Sequence, residues 1–324
     1  MQAILILAHR NFDQIFQLCK TLKPDFEIYI HFDVKMPLSQ AQKELMDQEG
    51  IHYISEVDVH WGAWSVTEAE LRLMEEALKN PEVEFVHLIS GQDWPLQNPK
   101  KIREFYEKND KIYLMAKPAK EEAKSGERLI WWQQFYFNYD KINRRSTFGK
   151  LYHRVSLSLQ RLLHINKLKK LGIDLEIYSG PQWCDLPRDV AQYCLDYMKQ
   201  HPNYIKMLQT SFCSDEFWLP TIVYNEPKFS ERIVGHYYRF IKWEEQHGSY
   251  PAILDQRDYQ VIKSSGAFFG RKFDSTYSQE LINQLSKEDW GIKCPDRQIL
   301  QEERSLWKLE LTRNPFQILS FTLL

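Results

Sequence analysis

The sequence lacks paired cysteines. Its five, Cys19, Cys184, Cys194, Cys213 and Cys294, form no C-x-x-C and no metal-ligand spacing, which argues against a disulfide framework and for reduced thiols in a cytosolic protein. It also lacks a long hydrophobic run. No stretch reaches the ~18 apolar residues of a membrane span, and the Ala3–Leu7 run is too short, and has no basic segment before it, for a signal peptide. Any membrane contact is therefore expected to be peripheral. Net charge is nearly absent: 42 Lys and Arg against 44 Asp and Glu leave −2, so there is no global electrostatic case for nucleic acid. The glycine loops G-x-G-x-x-G and G-x-x-x-x-G-K-[ST] do not occur, which disfavours dinucleotide and P-loop chemistry. Nor does D-x-D, the nearest approach being Glu56-Val57-Asp58. Mg²⁺ and Mn²⁺ favour such paired oxygen ligands, so a diphosphate handled by this chain would fall to cationic side chains.

What is present is a globular composition, 43% hydrophobic and 27% charged over 324 residues, enough for one large domain or two modest ones. Aromatics reach 14%, which suits a core as well as ligands with flat faces, such as sugars and nucleobases. The continuous apolar run Ala3–Leu7 predicts a buried parallel strand. Helical spacing of Phe12, Ile15, Phe16, Leu18, Cys19 and Leu22 follows, then the β formers of Phe26–Phe32. Strand, helix and strand in so short a span make a βαβ unit, and the fold class is α/β. Ile51–Ile54 and Phe85–Ile89 are further strands, with turn chemistry expected at Gly91–Pro95. A helix over Val66–Leu78 is expected to start with a capping box of Ser65 and Glu68.

Three polar clusters fall at strand ends, where open α/β sheets take ligands: His9/Arg10, Asp33/Lys35 and Ser90–Asp93. Between Lys141 and Gly172 lie nine Lys and Arg and no acid, interleaved with Leu151, Val155, Leu159, Leu162, Leu163 and Leu168 at roughly helical spacing. This pattern fits an element facing a membrane surface or anionic partner, or a solvated helix packed on the main domain. Asp215-Glu216-Phe217-Trp218 puts carboxylates in an aromatic setting. Glu216 is thus a candidate general base, since desolvation raises a carboxyl pKa toward working pH, or else an acid at a helix start. Arg239, Arg271 and Lys272 are candidates for neutralising a phosphate.

Taken together, Trp61–Ser65 (WGAWS), Leu88–Leu96 (LISGQDWPL), Ser214–Glu216 (SDE) and Arg271–Asp274 (RKFD) resemble the core-2/I-branching β-1,6-N-acetylglucosaminyltransferase and peptide O-xylosyltransferase family, in its bacterial branch. The resemblance runs from about Ile4 to Asp274. It implies a GT-A-like nucleotide-sugar-binding fold, a mixed central sheet flanked by helices, in a metal-independent variant that inverts the anomeric centre and uses UDP-sugars. Carried over by position, Glu216 would be the catalytic base and Lys272 the residue holding the diphosphate, with Arg239 and Arg271 beside it. Asp33 would meet the uracil edge and Trp61 its ring, with His9 on the donor side. Gln182 and Trp183 would line the sugars, and Asp93 the acceptor side.

The resemblance implies a UDP-sugar donor, a glycan or glycolipid acceptor and no cofactor or metal; the charge balance, the unpaired cysteines and the basic stretch add the expectation of no nucleic acid and of a cytoplasmic protein with peripheral contact to anionic membrane. The sugar would be GlcNAc-like or xylose-like, transferred in surface polysaccharide or lipooligosaccharide synthesis. The expected organisation is a transferase domain over 1–275, with a basic helical insertion near 141–172, and a C-terminal helical extension over 276–324. Two other readings stay open: a metal-dependent transferase using Glu56 and Asp58, and a non-catalytic glycan-binding module exploiting the Trp-rich surface.

Overall fold

Residues 1–107 and 109–287 are described by the structure, a computed structural model; Cys294 and most of the expected C-terminal extension lie outside the described residues. Along the chain run β1 (Gln2–Ala8), β2 (Glu27–Phe32), β3 (His52–Ile54), β4 (Phe85–Ser90), β5 (Asp93–Pro95) and β6 (Lys117–Pro118). After them come β7 (Ala123–Lys124), β8 (Glu127–Arg128), β9 (Tyr178–Ser179), β10 (Asp185–Pro187), β11 (Arg239–Ile241) and β12 (Phe269–Arg271). The helices that position the site are α1 (Phe12–Leu22), α2 (Gln40–Gln48), α3 (Trp64–Leu78), α4 (Pro99–Tyr106), α5 (Ile130–Gln134) and α6 (Thr147–Leu162).

The main sheet has five strands in the order β10-β4-β1-β2-β3. Its four inner pairings are parallel except β10, which runs antiparallel to β4. β1 sits at the centre because both of its faces are apolar. Ile4 and Ile6, with Ile28 and Ile30 of β2, join Ile15, Leu18 and Leu22 of α1 in one core layer. Ala3 and Leu5, with Val86 and Leu88 of β4, join Leu73, Met74 and Ala77 of α3 in the other. A sheet covered on both sides reads as continuous apolar runs, which is why these strands are visible in the sequence. Leu281, Ile282 and Leu285, from the helix Gln279–Leu285, pack into the first of these layers.

Two local expectations are corrected. The Ser65–Glu68 capping box does not form. Helix α3 begins two residues earlier than expected, with Ala63 in the cap position and no side-chain cap bond; Ser65 Oγ instead accepts the His60 amide at 2.8 Å. Nor is Gly91–Pro95 only a turn: Asp93–Pro95 forms β5, paired antiparallel with β12. With β11 parallel to β12, these make a second, three-stranded sheet.

One buried ion pair joins the two sheets. Asp185, on β10, is fully buried. Its Oδ1 receives Arg239 Nη2 at 2.7 Å and its Oδ2 Arg239 Nη1 at 3.0 Å. His87 Nδ1 (3.0 Å) and Tyr106 Oη (2.8 Å) complete its shell. Burial alone would raise the Asp185 carboxyl, but the Arg239 charge and the His87 contact bring it down to about 2. No helix among the described residues is long and apolar enough to cross a membrane.

Asp185→Asn should leave Arg239 buried beside a neutral partner and destabilise the fold by about 3–5 kcal/mol in chemical denaturation. Since the folded carboxyl titrates below an ordinary Asp, at ~3.9, the parent should hold this stabilisation above about pH 4 and lose it as pH falls toward 2. An unchanged midpoint in the variant would show that the pair does not hold the sheets together.

Candidate active site

The carboxyl ends of β1, β2 and β4 pass directly to His9 and Arg10, to Asp33, and to Gly91 after Ser90. All three expected clusters are therefore at one edge of the sheet. Asp33 is buried; its Oδ1 accepts the Lys35 amide at 3.0 Å and its Oδ2 pairs with Lys35 Nζ at 3.1 Å. Lys35 also bonds Asp58 and, at 2.6 Å, the Val59 carbonyl. That ties the Asp33 loop to the segment bearing Trp61. Asp58, one half of the Glu56/Asp58 metal reading, is thus already held by Lys35 and by His60 Nε2 at 3.2 Å. Among the described residues no group of three or more His, Cys, Asp and Glu is arranged to hold a metal ion.

Gly62 fixes how this segment lies. Its φ is +72°, and a Cβ there would stand 2.6 Å from the Phe212 ring, so glycine serves both the backbone and the close approach. The Gly62 carbonyl accepts the Cys213 amide at 2.8 Å, laying the Trp61 loop against the turn that carries Glu216. Trp61 itself is 51% exposed, with the Arg145 guanidinium 4.5 Å from its ring centroid. An exposed indole with one cation against it is open to a second flat partner.

Positive charge collects beside it. Lys272 Nζ donates to Ser249 Oγ at 3.1 Å and the Tyr250 carbonyl at 3.4 Å. Burial, and after it the charges of Arg271, Arg10 and Arg145, push this ammonium down to about 8. His9 is lowered by desolvation and by the same three arginines, with Asp33 opposing. Arg271 donates to Ser90 Oγ and, at 3.0 Å, to Asp93 Oδ1, with the Trp183 ring 4.9 Å away. Arg10 finds its acid, Asp274, only at 3.8 Å. Lys272 and His9 are thus lowered first by burial and then by the arginine charges around them, a setting that favours a bound anion.

Three expected site residues take other roles. Arg239 does not reach the cleft: Nη1 and Nη2 are used by Asp185, the Tyr237 carbonyl (2.7 Å) and the Leu88 carbonyl (3.2 Å), all buried. It is a structural cation. Asp93 is 2% exposed and accepts from the Ser90 amide (2.8 Å), Ser90 Oγ and Arg271. It anchors Arg271 and offers no free oxygen to an acceptor sugar. Trp183 is likewise buried, in contact with Arg271, and is a support for that guanidinium rather than an open sugar platform.

Glu216 sits half-buried in a 3₁₀ turn, Ser214–Glu216, introduced by Cys213 at φ +52°. Its carbonyl accepts the Gly180 amide at 2.9 Å, and a Cβ on Gly180 would lie 2.0 Å from the Met115 carbonyl. Glycine is therefore required where this segment passes the turn. The Glu216 charge is the largest influence raising Lys124, a residue of β7. Next to it, Asp215 Oδ1 is buried without a hydrogen-bond partner, and burial followed by the Glu216 charge raises its carboxyl. Behind Asp215, Glu70 is 1% exposed and accepts from Gln182 Nε2 (2.5 Å) and Trp218 Nε1 (2.6 Å). Burial, and then Asp215, raise Glu70 well above the usual range. Gln182 thus spends a donor on Glu70.

The sequence alone assigns no individual role to Glu70, Arg10, Arg145, Lys124 or Asp185. Glu70 had a signal. It falls with Leu73, Met74 and Ala77 on the buried face of α3, and an acid on an apolar face is rarely idle. Arg145 had none, being one basic residue in a basic stretch. Hollows of about 490 Å³ beside Asp13 and Lys20, and of about 400 Å³ between Leu171 and Tyr204, are lined by other residues.

A model of the Core-2/I-Branching enzyme family matches residues 3–263. The chain is 24% identical to the beta-glucuronosyltransferase GlcAT14B of Arabidopsis thaliana over 40% of this chain and 31% of that protein. It is 22% identical to a xylosyltransferase of Ciona intestinalis over 96% of this chain and 36% of that one. The chain thus spans about a third of the length of these curated relatives. Among solved structures, a galactosyltransferase LgtC complex with donor and acceptor sugar analogues aligns over 98% of both chains at 12% identity, a faint likeness with a TM-score of 0.35.

If the cation cluster takes a diphosphate, a bound anion should restore the Lys272 pKa toward its ordinary value. Pyrophosphate binding near pH 8 should then take up protons, and affinity should fall as pH rises through about 8. Calorimetry in buffers of differing ionisation enthalpy measures this uptake. Lys272→Met should abolish it, and zero uptake in the parent would remove Lys272 from the anion site.

Proposed function

The chain belongs to the Core-2/I-Branching enzyme family, and on that premise we propose that it is an inverting glycosyltransferase moving a sugar from a UDP-sugar to a hydroxyl of a glycan or glycolipid acceptor. One observation carries the reading: the turn that bears the half-buried Glu216 is bonded to the Trp61 loop, Cys213 amide to Gly62 carbonyl at 2.8 Å, and Trp61 stacks on Arg145, one of the cations that lower Lys272.

The step is one in-line displacement. The acceptor oxygen attacks the anomeric carbon from the face opposite the nucleotide, and its proton passes to Glu216. The bond from that carbon to the β-phosphate oxygen breaks, and its electron pair leaves with UDP. Lys272 and Arg271 are assigned to the departing diphosphate, with Arg10 and Arg145 adding charge. Fixed cations of this kind stabilise negative charge that develops in the transition state without reorganising. Asp33 and Trp61 are assigned to the uracil edge and ring, and His9 to the donor side. The GT-A-like architecture, the UDP preference and the independence from metal belong to the same proposal.

General-base help is worth roughly 10²–10⁴-fold. Glu216→Gln should therefore lower kcat by at least about 10²-fold with UDP affinity near that of the parent. Asp215→Asn loses a carboxyl whose Oδ1 is buried without a hydrogen-bond partner and should keep turnover within about tenfold. A fully active Glu216→Gln enzyme, or loss confined to Asp215→Asn, would overturn the assignment. Turnover should also survive excess EDTA, because the cations are side chains; an absolute requirement for Mn²⁺ or Mg²⁺ would overturn that part of the proposal.

A further inference from the structure

Helix α6 is held to the domain by its polar side. His153 Nε2 lies 2.9 Å from the Glu127 carboxylate and its Nδ1 2.5 Å from Tyr139 Oη, while Gln160 bonds the backbone of Tyr136 at 2.7 and 2.8 Å. Gly149, His153 and Leu157 are its buried positions. These contacts fix the helix's rotation, and they turn its apolar side outward. Phe148, Leu151, Val155, Leu159 and Leu162, spaced three and four residues apart, form a ridge along the helix at 49% to 73% exposure, extended by Leu163. The other exposed large hydrophobics of the described residues are scattered through the chain. Single exposed apolar residues are ordinary, but a continuous ridge marks a binding surface.

Charge identifies the partner. Arg154 and Arg161 are exposed along one edge of the ridge, Arg161 with its guanidinium 4.5 Å from the Trp131 ring, Lys150 is half-buried on the same side, and no acid occurs between residues 141 and 172. A surface that takes both an apolar ridge and a row of cations is apolar within and anionic at its edge, and a second copy of this helix would meet it with like charge. We propose that α6 is an in-plane membrane anchor that seats the protein on a bilayer containing anionic lipids. The ridge enters the acyl boundary and the flanking cations lie at the headgroups, over a helix about 24 Å long. Arg145, two residues before α6, stacks on Trp61 at the cleft, so the anchor sets the cleft close to the lipid surface. The inference does not depend on the proposed transfer reaction, because its readout is lipid binding.

The test is co-sedimentation of the full chain with vesicles of phosphatidylcholine alone and of phosphatidylcholine with phosphatidylglycerol, at low and high salt. Binding is expected to the anionic vesicles and to weaken as salt rises. Replacing Lys150, Arg154 and Arg161 by Gln should lower the partition on the order of 100-fold. Leu151→Glu with Leu159→Glu should abolish it while thermal unfolding stays that of the parent, since both positions are exposed; Leu162→Glu, in the last turn, is the second variant should the pair misfold. No binding at low ionic strength, or ridge variants that bind as the parent does, would overturn the proposal. Self-association removed by the same substitutions, without vesicle binding, would overturn it in favour of a second copy.

Discussion

The Asp185–Arg239 pair is the constraint on which the site rests. It holds β10, at the edge of the main sheet, to β11 in the small one, and it is buried among His87, Tyr106 and the Tyr237 and Leu88 carbonyls. With β11 fixed, β12 is fixed by its parallel register, which sets Ile241 beside Arg271. β5 is fixed in turn, and Arg271 faces Asp93. The two arginines of the small sheet therefore have opposite fates. Arg239 spends both terminal nitrogens on buried acceptors. Arg271 spends one on Asp93 and Ser90, and its charge is still felt by His9 and Lys272.

The cleft built this way is electrostatically divided. On one side, Arg10, Arg145 and Arg271 act on Lys272, whose ammonium is depressed first by burial and then by their charge. On the other, Asp215 and Glu70 are raised because burial and neighbouring charge disfavour their ionised forms. Each cluster costs folding free energy, which the two core layers on either face of the main sheet offset. An anion relieves the first cluster, and a proton held by the buried carboxyls relieves the second.

The sequence revealed the parts of the fold whose reasons are local. β1, α1 and β2 are legible because a doubly covered parallel strand must be apolar throughout and a surface helix must be apolar on one side. β5 was not, since Asp93-Trp94-Pro95 carries turn residues and its strand partner, Phe269–Arg271, is remote in the chain. The same distance explains Arg239. Its aromatic neighbours and positive charge suited a phosphate ligand, and nothing near it in sequence announces Asp185. Ser65 and Glu68 had the spacing of a capping box, but the His60 amide claimed the hydroxyl. Strand ends placed Asp33 and His9 by topology alone, whereas Glu70 needed attention to which face of its helix it occupies.

Helix α6 shows where pattern reading stops. Apolar residues at helical spacing identify an amphipathic helix, and the usual inference is that this face turns inward. Here the inward contacts are hydrogen bonds: His153 between Glu127 and Tyr139, and Gln160 on the Tyr136 backbone. Such bonds are directional, and Leu157 and Tyr152 supply the apolar contact beside them. Together they set the helix's rotation, which leaves the larger apolar face to solvent. Leaving Phe148, Leu151 and Leu162 in water forfeits burial worth about 1.5–3 kcal/mol for each large side chain. An inward-turned ridge would recover that within the fold but leave the His153–Glu127–Tyr139 group unsatisfied. The orientation is therefore what a helix adopts when its apolar face is kept for a partner rather than for the core.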